Sequence, residues 1–338
     1  MDTRWAIGYT YGRRALAAAL ALLSMMDPGG VAARAGVLDP AAIKTLPSEA
    51  KPEDFAVVKP VYQADTTPDQ IGRIVVPVMV NGQGPFLFAL DTGANRTVVT
   101  PQLLTALGLV STSDDSVTME GATGSAVVPT AIIARIAAGD VVLENQALPV
   151  AQALAAGISG IFGADALENK HVEIDFKTGK IEIRNAHHLR PVEGAVRIPA
   201  QMQFGLLMVV DAVVDRIHVK AVIDTGSEYT LGNAALRAAL IERAHSKRPK
   251  EPIDVLGETL VLQHGDLQPV TTLTVGDVRA DHFNIVFGEF YVFRLWGLDT
   301  RPALVIGMDL ISKLDTFAID YQRREVQLLP RVRPDVYR

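Results

Sequence analysis

Two aspartate residues of this chain lie in matching local sequences, and a pair of carboxylates can carry out acid–base chemistry. The segment that begins at Asp91, DTGANRTVVTPQLLTAL, aligns without a gap with DTGSEYTLGNAALRAAL, which begins at Asp224. Two carboxylates held close together cannot both ionise easily, so such a pair shares one proton. One group can then take a proton from water while the other polarises a carbonyl oxygen, which is what amide hydrolysis requires.

Each aspartate follows a predicted strand and precedes a predicted helix. The apolar segments FLFAL and VKAVI end directly before Asp91 and Asp224. Thr100 and Asn233 occupy equivalent N-cap positions, and the residues after them carry apolar side chains at three- and four-residue spacing. The sequence therefore predicts the same strand, tight turn, short strand and helix at both places.

Further matching segments extend the repeat to two whole lobes. GIFGADAL corresponds to LVIGMDLI, and HVEIDFKTGKIEI from His171 corresponds to TFAIDYQRREVQL from Thr316. A repeat of this length indicates two units of one fold. We predict a first lobe at 72–187 and a second, longer lobe at 193–331, with the additional residues near the aromatic segment FGEFYVFRLWGL.

Two Asp-Thr-Gly triplets, each after an apolar strand and each followed later by two apolar residues and a glycine, resemble the aspartic proteases. Lobe length and the Asp-Thr-Gly-Ala form at Asp91 are more similar to the retropepsin branch, here fused in tandem, than to the larger pepsins. The resemblance implies a mainly β fold of two similar retropepsin-like β-barrel lobes that form a pseudo-dimer. It also implies an aspartic-type endopeptidase with Asp91 and Asp224 as catalytic dyad, a peptide or protein substrate and no cofactor.

The resemblance assigns supporting roles beside the dyad. Gly93 and Gly226 would allow a tight turn whose N–H groups point at the carboxylates. Thr92 and Thr225 would exchange hydrogen bonds across the lobe interface. Two apolar segments would pass beside the catalytic loops, namely Ile161-Phe162-Gly163 and Val305-Ile306-Gly307.

The two motifs differ at the position after the triplet. Ala94 follows the first and Ser227 follows the second. A serine hydroxyl there can donate to the adjacent carboxylate and stabilise its charged form, which lowers the pKa of the pair. Because the first lobe lacks this donor, we expect the shared proton to persist, and activity to extend, from mildly acidic towards neutral pH.

Each lobe is expected to carry a hairpin, or flap, that closes over substrate and excludes water from the dyad. The candidate tips are Gly121-Ala122-Thr123-Gly124 and Leu256-Gly257-Glu258-Thr259, so Gly121, Gly124 and Gly257 are candidate flap residues. An ordinary surface hairpin is the alternative for either.

The aromatic residues of the longer lobe allow two interpretations. They could line an apolar subsite, but a packed core is favoured because buried aromatic side chains are common. The residues are Phe287, Phe290, Tyr291, Phe293 and Trp296.

Composition excludes several classes of function. The 338 residues include no cysteine, which removes disulfides, thiolate metal sites and a cysteine nucleophile. A net charge of -6 argues against a nucleic-acid partner. The seven histidines show no metal-ligand spacing, so no metal site is predicted.

The N-terminus resembles an export signal. Arg4, Arg13 and Arg14 precede a short apolar run, and Ala33-Arg34-Ala35 provides a cleavage site, which predicts a signal peptide at 1–35 and a periplasmic or secreted protein. An N-terminal helix of the folded protein is the alternative, and the export route stays open. Residues 36–71 are predicted to be a proline-rich leader or linker, and no membrane span is expected in the mature chain.

Three hypotheses about function and assembly remain at this point. The first is an active monomer in which the short connection at 186–193 lets the lobes pair within one chain. The second is a non-catalytic, bilobal peptide-binding or scaffold protein, since a fold can outlast its chemistry. The third is an active enzyme whose lobes pair with those of another copy.

Overall fold

The computed structural model describes residues 16–19, 60–69, 72–152, 157–187, 189–244 and 249–331. These residues form a mainly β structure of two lobes, with three sheets and a few short helices, as the sequence predicted. No helix within these ranges is long and apolar enough to cross a membrane. Of the predicted signal peptide, only residues 16–19 are described, and they form a strand that pairs parallel with Glu251–Gly257. The rest of the signal peptide and most of the leader lie outside the described residues.

The first lobe is built on an eight-stranded sheet. A helix, Pro101–Leu107, and a 3-10 helix, Ala164–Ala166, pack beside it. The Thr100 side chain caps the helix by accepting from the Leu103 N–H at 3.2 Å, which satisfies a donor that a helix start leaves free. The strands are Thr67–Pro68, Ile74–Val80, Gln83–Leu90, Val98–Val99, Thr112–Glu120, Ser125–Ala138, Val141–Pro149 and Gly160–Phe162.

The second lobe repeats this arrangement on a nine-stranded sheet. Its helices are Ala234–Ala244, Tyr291–Leu295 and Met308–Ile311, and the Asn233 side chain caps the first by accepting from Leu236 N–H at 2.8 Å. The strands are Leu16–Ala19, Gln201–Gln203, Leu207–Val214, Ile217–Ile223, Leu231–Gly232, Glu251–Gly257, Leu262–Val275, Val278–Phe287 and Ala303–Ile306.

A central six-stranded sheet joins the two lobes. Its inner strands come from both halves of the chain and pair antiparallel, with His171 opposite Asp320. Their alternating apolar side chains are buried on the core face, so each contributes about 1.5–3 kcal/mol of burial free energy. The strands are Tyr62–Asp65, Lys170–Asp175, Lys180–Asn185, Val196–Pro199, Leu314–Asp320 and Glu325–Pro330.

One strand of the central sheet lies within the segment predicted to be a leader or linker. Tyr62–Asp65 pairs antiparallel with Lys180–Asn185, and the Tyr62 ring is buried. Four residues between prolines show too little alternation to predict a strand. The pairing extends the folded part of the chain upstream of residue 72.

Candidate active site

Each catalytic loop is held by the strand that passes beside it. Gly160–Phe162 runs parallel to Gln83–Leu90, and the Asp91 N–H donates to the Phe162 carbonyl at 3.1 Å. In the second lobe the Asp224 N–H donates to the Ile306 carbonyl, also at 3.1 Å. Both aspartates therefore leave their strands at a position that long-range pairing determines.

A glycine follows each passing strand because the backbone of the neighbouring catalytic loop leaves no room for a side chain there. A Cβ on Gly163 would lie 2.7 Å from the carbonyl oxygen of Arg96, and a Cβ on Gly307 would lie 2.5 Å from that of Tyr229. Separations this short are repulsive, so any side chain would displace the loop. This explains the two apolar residues and a glycine that both lobes share.

The structure brings Asp91 and Asp224 together at the lobe interface. Their side chains are 1% and 0% exposed. Each loop packs its glycine against the opposite aspartate, so that a Cβ on Gly93 would overlap the Asp224 carboxyl and one on Gly226 would overlap that of Asp91. The reciprocal contact gives the site a local two-fold arrangement.

Four hydrogen bonds between the threonines and the opposite loops lock the two loops together. The Thr92 hydroxyl donates to Ile223 O at 3.1 Å and accepts from Thr225 N–H at 3.1 Å. The Thr225 hydroxyl donates to Leu90 O at 2.8 Å and accepts from Thr92 N–H at 3.1 Å. All four threonine groups are buried, so water cannot replace these bonds without opening the interface.

The surroundings of the two carboxyls favour a shared proton. Burial raises the pKa of Asp224 well above its ordinary value, and the neighbouring Asp91 carboxyl raises it further. N–H groups of Gly226 and Ser227 donate to Asp224 Oδ1 at 2.7 and 3.2 Å and oppose this shift. Gly93 N–H donates to Asp91 Oδ1 at 2.8 Å. The pair thus retains a proton at a pH where an exposed aspartate is ionised.

The predicted role of the Ser227 hydroxyl is wrong. The hydroxyl donates to Tyr229 O at 2.7 Å and not to the Asp224 carboxylate. Ser227 supports the dyad through its backbone N–H instead. Because an alanine carries the same N–H group, the Ala94 and Ser227 asymmetry gives no reason for a higher working pH.

The two candidate flaps meet across the lobe interface. Each tip joins two long strands of its lobe, Thr112–Glu120 with Ser125–Ala138 and Glu251–Gly257 with Leu262–Val275. The tips touch, since a Cβ on Gly121 would lie 3.0 Å from the Thr259 methyl group. Gly124 likewise packs on Val261, whereas Gly257 closes its own turn by accepting from Leu260 N–H at 2.8 Å.

The first-lobe flap docks into the aromatic segment of the second lobe. Ala122 is fully buried among Phe290, Val292 and Phe293, and its carbonyl accepts from Val292 N–H at 3.1 Å. Trp296 closes the cluster with its ring edge-on to Phe293 at a centroid distance of 6.2 Å. The aromatic side chains Phe290, Phe293 and Trp296 therefore form a packed core that also receives the flap. Phe287 is buried in a neighbouring cluster, and of the five aromatic residues only Tyr291 is partly exposed.

An open groove lies on the first lobe beside the tip of the second-lobe flap. It has a volume of about 630 Å³ and lies between the Pro101–Leu107 helix, the Ser125–Ala138 strand and the tip of the second-lobe flap. Leu104 and Val128 contribute to its apolar walls, and Glu258 lies at the flap side. The groove has room for amino-acid side chains of an extended peptide.

Two buried threonine–aspartate pairs support the loops and were not singled out from the sequence. Thr97 donates its hydroxyl to Asp165 Oδ1 at 2.8 Å, and Thr230 donates to Asp309 Oδ1 at 2.7 Å. Burial raises the pKa of both aspartates, that of Asp309 to about 6. The signal was present, because both members recur at matching positions of the repeat.

Comparisons with known proteins agree with this geometry for the first lobe. Residues 76–166 match the model of the aspartyl protease family, and this range contains Asp91, the first flap and the passing strand. No curated protein matches the chain. Within the described ranges, no group of three or more His, Asp or Glu side chains could hold a metal ion. The family match confirms the predicted resemblance to the aspartic proteases for residues 76–166.

Proposed function

We propose that this protein is an aspartic-type endopeptidase that uses Asp91 and Asp224 to activate a water molecule. The observation that carries the proposal is the burial of two neighbouring carboxyls at the junction of two reciprocally packed loops. A purely structural pair would leave like charges buried without benefit, whereas hydrolysis uses their unequal protonation.

The mechanism needs both carboxyls in alternating roles. The ionised group takes a proton from water as the oxygen attacks the peptide carbonyl carbon, and the protonated group donates to the carbonyl oxygen. The resulting tetrahedral intermediate carries two hydroxyl oxygens. Proton transfer to the amide nitrogen then accompanies cleavage of the C–N bond, and the pair returns to its singly protonated state.

The lobes supply the geometry that this cycle requires. The threonine bonds and the central sheet hold the loops in one arrangement, so the carboxyls need not reorganise during reaction. Since both halves of the site come from one chain, we propose that a monomer is sufficient. We also propose export to the periplasm or beyond, on the strength of the N-terminal signal pattern.

Substitution of each carboxyl tests the proposal. Asp91→Asn and Asp224→Asn should each abolish cleavage of a denatured protein substrate, because an amide cannot accept and release the catalytic proton. Asp211→Asn, in which the wild-type side chain is 80% exposed, is the control for the substitution itself. A statine-type transition-state analogue should inhibit the wild type and the control.

Two results would contradict the proposal. Cleavage that survives in a folded Asp91→Asn or Asp224→Asn protein would exclude the dyad. Tight binding of the analogue by a wild-type protein that never cleaves peptides would favour the non-catalytic, peptide-binding alternative.

A further inference from the structure

A buried ionic cluster, formed by Asp69, Arg73 and Glu258, links the second-lobe flap to the first lobe. Arg73 directly precedes the first-lobe strand Ile74–Val80, and Glu258 lies at the tip of the flap. Arg73 Nη1 contacts Glu258 Oε1 at 2.7 Å, and Arg73 Nε contacts Asp69 Oδ2 at 2.9 Å. All three side chains are at most 3% exposed. The flap therefore closes onto a charge supplied by the other lobe.

The charges in this cluster do not balance when every acid is ionised. Asp69 makes more hydrogen bonds with Arg73 than Glu258 does. Asp69 also accepts from the Arg73 backbone N–H at 3.0 Å, whereas Glu258 makes a single contact. Among the described residues, Glu258 Oε2 and Arg73 Nη2 find no hydrogen-bond partner. One guanidinium faces Asp69 and Glu258, and the negative charge of Asp91 also acts on Glu258. A proton on Glu258 relieves this excess.

The raised pKa of Glu258 agrees with this excess of negative charge. The pKa of Glu258 is raised from its ordinary 4.5 to about 7, chiefly by burial; Arg73 opposes the rise, and the charges of Asp91 and Asp69 add to it. Once the flap opens, water reaches the carboxyl and its pKa returns towards the ordinary value. At a pH between these two pKa values, Glu258 is protonated when the flap is closed and ionised when it is open. Rising pH therefore favours the open flap.

Opening of a flap is unavoidable if the site acts on peptides. The dyad carboxyls are at most 1% exposed while the tips touch. The first-lobe tip is held mainly through the backbone of Ala122 and Val292 and by burial in an apolar core. Glu120, next to that tip, also interacts with the Tyr291 side chain and raises its pKa above 10.0. The second-lobe tip is held by the buried carboxyl of Glu258.

We propose that Glu258 and Arg73 are positioning residues of the second-lobe flap, and that closure of this flap over the dyad takes up one proton on Glu258. The catalytic meaning of this step rests on the proposed peptidase function. The proton uptake itself does not, because it concerns only the flap and its partners in the first lobe.

Hydrogen exchange of the flap-tip amides tests the proposal in the full-length protein without any turnover. After correction for the intrinsic pH dependence of exchange, protection at residues 257–261 should fall roughly 70-fold between about pH 5 and about pH 8, as the two pKa values of Glu258 imply. Glu258→Gln, which is isosteric with the protonated acid, should remain protected throughout. Asp69→Asn should shift the fall to lower pH, because Arg73 is then free to stabilise the charged Glu258.

A matched control and clear contrary results complete the test. Glu144→Gln removes an exposed ion pair with Arg135 and should leave the exchange profile unchanged. Three results would overturn the proposal. They are constant protection in the wild type, a fall in Glu258→Gln equal to that of the wild type, and fast exchange of Glu258→Gln at every pH. The Asp91→Asn and Asp224→Asn assays bear on the peptidase function alone, so the two proposals can fail separately.

Discussion

Removal of one threonine hydroxyl at the lobe interface should cost more than the small change in volume suggests. In Thr225→Val the side chain keeps its shape but loses the donor to Leu90 O and the acceptor for Thr92 N–H. Each buried group left without a partner costs about 1–3 kcal/mol. The expected loss is therefore about 2–6 kcal/mol of unfolding free energy, together with a large loss of activity because the loops carry the dyad.

Thr225→Ser is the matched control for this substitution. It keeps the hydroxyl and removes one buried methyl group, for which about 1 kcal/mol is expected. Urea unfolding measures the difference from the transition midpoint, provided that the slope with denaturant is unchanged. If Thr225→Val lowers the unfolding free energy no more than Thr225→Ser does, the hydrogen bonds across the interface do not stabilise the pairing of the two lobes.

Three further substitutions test other parts of the site. Gly226→Ala should abolish peptide cleavage and lower the melting temperature, because its Cβ would overlap the Asp91 carboxyl; an active variant would contradict the packing. Ala94→Ser should leave the alkaline limb of the pH–rate profile in place, since the hydroxyl of Ser227 binds a backbone carbonyl; a downward shift would restore the sequence-based argument. Burial alone would lower the pKa of His171, but the carboxyls of Asp320 and Glu173, each 3.7 Å from a ring nitrogen, raise it. The charged form of His171 therefore stabilises the fold fully below pH 6.5, and this stabilisation is lost as pH rises through the folded-state pKa. The stability difference between wild type and His171→Gln should therefore shrink as the pH is raised above about 6.5 in urea titrations, and a constant difference would show that His171 does not titrate.

Much of the candidate site could be predicted because its determinants are local. The strand before each aspartate, the tight turn and the capped helix are encoded by apolar runs, glycines and N-cap residues within some twenty positions of Asp91 and Asp224. Because the segment is repeated, the strand, turn and helix predicted around one aspartate are predicted around the other as well. The supporting Thr97–Asp165 type of pair was also present in the repeat, although no chemical motif drew attention to it.

Other features depended on which groups packing brings together. A hydroxyl such as that of Ser227 can donate to several acceptors, and only the path of the loop places Tyr229 O nearest. The same holds for Tyr62–Asp65, whose place in the central sheet depends on an exposed edge at Lys180–Asn185. Short segments carry too little periodicity to specify such partners.

The sequence by itself determined the two lobes, the paired aspartates and the glycines that let the loops approach, because each follows from a short pattern that occurs twice. Only the tertiary structure decided that the flaps bind opposite lobes, with Ala122 in the second-lobe core and Glu258 on Arg73. Arg73 and Glu258 are 185 residues apart and belong to no repeated motif. Their attraction becomes specific only after burial removes competing water, and burial is a property of the assembled fold.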